Sequence, residues 1–97
     1  MATIQIVRFK IKQDSNVKAF EALNERFQRE VTPTLPGLLR REATVSAEGE
    51  YVLVLRYTDQ ESAKKAGKSD TSDVAQQFMG FIDMSSMSAS FYDIISE

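Results

Sequence analysis

The sequence predicts an α+β protein of ferredoxin-like βαββαβ order, a four-stranded antiparallel sheet with its helices on one face. Three observations carry that expectation. The run YVLVLRYT, Tyr51 to Thr58, is rich in β-branched and aromatic residues, as a strand requires. Val17, Phe20, Phe27 and Val31, with Leu23 beside them, recur at spacings of three and four, as one stripe of a helix does. The turn AEGE, Ala47 to Glu50, stands between two strand-like runs and predicts a β-hairpin.

The elements follow in order. TIQIVRFKI, Thr3 to Ile11, reads as the first strand, and QDSN supplies Asp14, Ser15 or Asn16 as a helix N-cap. The first helix is expected to end near Thr32, because Pro33 has no amide hydrogen to continue it and TPTLPG is a stiff connector. LLRREATVS and YVLVLRYT then form the hairpin. Asp59 is placed to cap a short helix running to about Ala66, and GKSDTS, Gly67 to Ser72, interrupts it. Ala75, Phe78, Met79 and Ile82 mark a further amphipathic helix, and SASFYDII, Ser88 to Ile95, closes as the last strand. Right-handed crossovers place the helices together on one side of the sheet.

Composition narrows the chemistry. Ninety-seven residues predict a single domain spanning 1–97, and 42% hydrophobic with 27% charged residues is the balance of a soluble globular chain. A net charge of -2, with no basic cluster longer than a pair, gives no footprint for nucleic acid. The absence of cysteine and histidine removes disulfides, thiolate nucleophiles, the commonest general base and the commonest metal ligand. No metal site and no cofactor are expected. No apolar run approaches the ~20 residues of a membrane span, and no secretory leader is evident, so a cytoplasmic location is the expectation.

Both faces of the sheet are apolar. Tyr51, Leu53, Leu55 and Tyr57 point one way on the third strand, and Val52 and Val54 the other; on the first strand Val7, Phe9 and Ile11 oppose Ile4 and Ile6. On the last strand Ala89, Phe91 and Ile95 oppose Tyr92 and Ile94. Helices on one side cover only one face, and a contiguous apolar patch on the other marks an interaction surface. A second copy is the simplest partner, because a two-fold contact needs one self-complementary patch. A homodimer is therefore expected, with Ile4, Ile6, Arg8, Val52, Val54 and Arg56 on its face. Lys10, Arg40 and Glu42 join Arg8 and Arg56 in a charged belt around the patch.

The opening strand VRFKIK, the long first helix, the connector TPTLPGLLRRE, the hairpin and the run YVLVLRYTDQESA resemble the antibiotic-biosynthesis-monooxygenase-like family over nearly the whole chain. The resemblance implies a dimeric α/β barrel with a pocket between sheet and helices. It also implies a cofactor-independent monooxygenase-like protein binding a small aromatic or quinone-type molecule. The family's working residues are an Asn on the first strand, a Trp ending the third and a His on the last helix. By position these fall on Val7, Tyr57 and Gln76, so all three are replaced. That leaves two functional classes open, an oxygenase and a non-catalytic ligand-binding or scaffold homodimer.

Tyr57 is the candidate catalytic residue, a hydrogen-bond donor at pH 7 and a poor base. Val7, Phe9, Phe27, Leu55, Gln76, Phe78 and Phe81 are the expected pocket lining around it, although spacing alone reads the aromatics as ordinary core. Asp70 and Asp73 bracket Thr71 and Ser72, a pattern that helix capping explains better than a calcium loop. GKSDTS is a candidate gate over the pocket, or a plain surface loop. Asp93 is expected to pair with Arg8 or Arg56 at the dimer face, the alternative being a base in the pocket. Ser85, Ser86, Ser88 and Ser90 have no histidine to activate them.

Overall fold

The computed structural model describes residues 1–66, the backbone of 67–69, and residues 72–97. It comprises β1 (Thr3–Ile11), α1 (Val17–Arg26), β2 (Leu38–Val45), β3 (Tyr51–Tyr57), α2 (Gln60–Ser69), α3 (Asp73–Phe81) and β4 (Ile82–Asp93). The strands form one antiparallel sheet in the order β2-β3-β1-β4, the ferredoxin-like arrangement. Strand alternation decides which face is inside. Val7 and Phe9 of β1 and Tyr51, Leu53, Leu55 and Tyr57 of β3 are buried against Phe20, Leu23, Ala63, Ala66, Val74 and Phe78 of the helices.

Local chemistry sets the boundaries. Asn16 is the N-cap of α1, its side-chain oxygen accepting the Ala19 amide at 3.0 Å. After Arg26 the chain widens into a π-helical turn, Phe27–Val31, and a 3-10 turn, Thr32–Thr34, where Pro33 ends the helical hydrogen bonding. The apolar stripe is shorter than expected: Phe20, Leu23 and Val31 are buried, Phe27 is half-buried, and Val17 is 49% exposed at the first turn. Gly49 takes a positive φ of 86° in the hairpin turn, where its amide donates to the Ser46 carbonyl at 3.0 Å. Gly37, at φ 79°, packs so closely that a Cβ there would lie 2.6 Å from that of Ser62. That contact ties the connector to α2.

Several boundaries differ from the sequence expectation, and α2 runs to Ser69 rather than to about Ala66. Helix α3 ends at Phe81, and Ile82 is the first residue of a twelve-residue β4 rather than the last residue of the helical stripe. Ile82 opposes Ile11, which buries it in the sheet as completely as a helical position would have done. Serine chemistry makes the early start possible. The register of β1 and β4 shifts between Arg8 and Lys10, and there the Ser86 hydroxyl accepts the Lys10 amide at 2.8 Å and donates to the Asp83 carbonyl at 2.6 Å. Met79, expected inside, is exposed; Ile95 lies beyond the strand and is exposed.

Candidate functional site

The third strand delivers Tyr57 to the mouth of α2. Thr58 follows, and Asp59 caps the helix by accepting the Ser62 amide at 2.7 Å, a bond that holds its carboxyl below the usual range. Tyr57 is 2% exposed, and burial pushes its hydroxyl pKa up, against an opposing pull from Arg41. It is therefore a proton donor throughout the neutral range. Among the described residues no protein group is hydrogen-bonded to that hydroxyl.

Arg41 comes from the neighbouring edge strand, and a bulge aims it. Leu38 opposes Tyr57, but Arg40 opposes Arg56 and Arg41 opposes Leu55, so Leu39 is the extra residue. An unbroken register would have turned Arg40 inward. Instead Arg40 stands outside, paired with Glu42 at 3.2 Å, and Arg41 is 5% exposed among the core aromatics. Its guanidinium donates to the Gln28 side-chain oxygen and the Asn24 side-chain oxygen, each at 2.8 Å. It lies 4.7 Å from the ring centre of Phe27 and 5.6 Å from that of Phe78, within cation–π range. Burial lowers its pKa to about 10, so it is still a cation at neutral pH.

These two groups share the wall of a cavity of about 190 Å³ between sheet and helices. Val7, Phe9, Phe27, Leu55, Tyr57 and Phe78, all expected in the lining, are on that wall, with Gln5 and Met87 beside them. Gln76 and Phe81 are not. The buried stripe of α3 is Val74, Ala75 and Phe78, which turns Gln76 outward, and the Phe81 ring packs on Phe20 at 5.4 Å instead. A larger groove of about 390 Å³ runs between α1 and β2. Its walls include the exposed Glu21, Glu25, Thr44 and Val45 with Asn24 and Tyr51 beside them, so its charged groups are exposed carboxylates rather than a buried cation. The smaller cavity is the better candidate site, since an apolar wall with a few aimed polar groups is what fixes a ligand's orientation.

The outer face carries the remaining expected residues. Ile6 opposes Val54, Ile4 opposes Arg56, and Arg8 opposes Val52. The four aliphatic side chains are half-buried in the single chain. Arg8 pairs with Glu50 at 3.8 Å, Arg56 with Glu97 and Arg40 with Glu42, so the arginines of the belt are paired within the chain. Asp93 takes no part in it. Its register partner is Thr3, whose hydroxyl donates to it at 3.3 Å.

Ser72 caps α3 by accepting the Ala75 amide at 3.2 Å. Of the expected gate, the backbone of 67–69 is the last turn of α2, and Asp70 and Thr71 lie outside the described residues. No group of three His, Cys, Asp or Glu side chains among the described residues is placed to hold a metal ion, and no described helix is long and apolar enough to cross a membrane.

No family model matches the sequence, and no curated protein matches it. The backbone, by contrast, is shared with solved structures. SnoaB, a cofactor-independent oxygenase from Streptomyces nogalater, superposes with a TM-score of 0.76 at 14% identity, covering 99% of this chain and 95% of that one. A candidate antibiotic biosynthesis monooxygenase from Caulobacter crescentus CB15 gives 0.74 at 18% identity, over 98% and 91% of the two chains. Rv0793 from Mycobacterium tuberculosis gives 0.72 at 18% identity, over 100% and 98%. This chain has the antibiotic biosynthesis monooxygenase fold.

Within that fold, the positions at which the family resemblance implies Asn, Trp and His hold Val7, Tyr57 and Gln76. Val7 is part of the apolar wall, Tyr57 keeps an aromatic with a donor, and Gln76 lies outside the cavity. The polar groups of the site are supplied differently, by Arg41 and Tyr57. Sequence reasoning missed Arg41. Strand parity was the available signal, because placing Arg40 and Glu42 outward requires the residue between them to point inward.

Proposed function

We propose that the cavity binds a small aromatic or quinone-type molecule, and that the protein is a cofactor-independent monooxygenase-like enzyme working as a homodimer. The observation that supports this reading most is an apolar cavity with two buried donors, Arg41 and Tyr57, in the fold of an oxygenase that needs no cofactor. Its size favours one ring, since an apolar cavity of ~150 Å³ holds a benzene molecule. In such a reaction the electrons come from the substrate itself. A ring C–H ortho or para to the substrate's hydroxyl and that hydroxyl's O–H give up one hydrogen each, one atom of dioxygen becomes the new ring oxygen of a quinone and the other leaves as water. The protein's part is to seat the ring, exclude water and hydrogen-bond the substrate oxygen through Tyr57. Half-buried Ile4, Ile6, Val52 and Val54 support pairing of two sheets face to face.

A non-catalytic ligand-binding dimer is the second reading. It is favoured by a wall that, among the described residues, carries no Asp, Glu, His or Lys to act as a base. Oxygen uptake with a panel of hydroquinones separates the two. The enzyme reading predicts consumption above background, slowed roughly ten-fold in Tyr57→Phe by loss of one hydrogen bond, and further in Tyr57→Ala, which also opens the wall. No uptake in the parent protein, combined with thermal stabilisation by the same compounds, contradicts the enzyme and supports the binding module.

A further inference from the structure

Arg41 is the one charged side chain fully buried among the described residues, and it has no carboxylate within 4.0 Å there. Glu25 acts on it only from a distance. A guanidinium has five N–H donors. The bonds to Gln28 and Asn24 use two of them, and both acceptors are neutral amides. A purely structural tie between β2 and α1 accounts for those two bonds and for the stacking on Phe27 and Phe78. It does not account for the three remaining donors. Nor does it account for a second buried donor, the Tyr57 hydroxyl, on the wall of the same cavity with no protein acceptor among the described residues. A buried cation normally requires a compensating anion, and donors that find none carry the full penalty of desolvation.

We propose that the site takes its aromatic ligand as an oxyanion, a single ring whose ionised oxygen sits on the Arg41 guanidinium and accepts a second bond from Tyr57. This rests on the reading of the cavity as an aromatic site and names the charge of what enters it. It also removes a chemical difficulty. None of the described wall residues is a base that would take the proton of a neutral phenol, whereas a cation favours the ionised form of whatever lies beside it. Ionisation is the change that makes an aromatic ring electron-rich enough to reduce dioxygen. The proton goes to solvent before binding, and no protein group has to accept it.

Binding isotherms with benzoate and its neutral counterpart benzamide test the proposal, with ionised 4-nitrophenol as a phenolate probe whose absorption band reports its surroundings. The parent is expected to bind benzoate roughly ten-fold more tightly than benzamide, the difference between a charge-assisted and a neutral hydrogen bond. A shift of the 4-nitrophenolate band extends the assignment from carboxylates to phenolates; no shift with benzoate bound restricts it to carboxylates. Two variants remove the uncompensated charge by different routes. Arg41→Met deletes the charge, and Asn24→Asp places a carboxylate on the guanidinium at the existing 2.8 Å contact. Asn24→Asp is nearly isosteric, so the test survives if Arg41→Met fails to fold. Both variants are expected to abolish the preference for benzoate. Benzamide and benzoate binding equally well to the parent overturns the oxyanion and leaves the aromatic site standing. Binding of neither overturns both.

Discussion

Replacing Phe20 by alanine is expected to lower stability by about 3–5 kcal/mol and the Tm by more than about 12 °C. Phe20 is 2% exposed at the centre of the aromatic core. Its ring meets Tyr51 at 4.8 Å, Phe78 at 5.2 Å, Phe81 at 5.4 Å and Phe9 at 6.1 Å, so one truncation removes edge and tilted contacts to two strands and the last helix together. The surrounding rings cannot collapse into the void without leaving their rotamers, which places the cost near the upper end of the range. Val17→Ala on the same helix is the control. Its side chain is 49% exposed, and a change within about 0.5 kcal/mol is expected. Thermal or urea denaturation of the two variants measures both effects. Equal effects at the two positions would contradict the placement of the core.

Ile6→Glu is expected to convert a dimer into a single folded chain. Ile6 lies at the middle of the outer face, opposite Val54, with Ile4 and Val52 one step away along the strands. On β4, Tyr92 extends the patch opposite Ile4 and is 56% exposed in the single chain. A second copy laid on this face would remove those side chains from water, each fully buried one contributing about 1.5–3 kcal/mol. A carboxylate at the same point would be stripped of water with no partner, which costs several kcal/mol per ion. Sedimentation of the parent should give twice the 10.9 kDa chain mass, and Ile6→Glu should give 10.9 kDa with an unchanged far-ultraviolet spectrum. A parent protein that sediments as one chain at micromolar concentration contradicts the pairing.

Much of the fold was legible because period-two and period-3.6 patterns run long enough to be unambiguous. Seven residues of β3 keep one parity, Tyr51 through Tyr57, and the structure buries alternate ones throughout. The end of α3 was not legible. Ile82 continues the helical spacing of Ala75 and Phe78 and also satisfies a strand, so burial alone could not assign it; the hydroxyls of the following serines, which complete the irregular start of β4, carry no hydrophobic signal. The site was legible in its apolar part and obscure in its polar part. Val7, Phe9, Leu55, Tyr57 and Phe78 follow from strand parity and helical phase. Gln76 failed because it sits two positions from Phe78, on a different side of the helix. Arg41 was hidden twice, by the expectation that arginine faces water and by a bulge at Leu39 that decides which of two adjacent arginines turns inward.

The two concavities give a bound ligand different neighbours. Intermolecular nuclear Overhauser effects between the ring protons of a bound hydroquinone and assigned methyl groups decide which one it occupies. Contacts are expected to Leu55, Ala75 and Met87, which line the cavity of Arg41 and Tyr57. Contacts to Ala43 and Val45 instead, on the groove between α1 and β2, would contradict this placement.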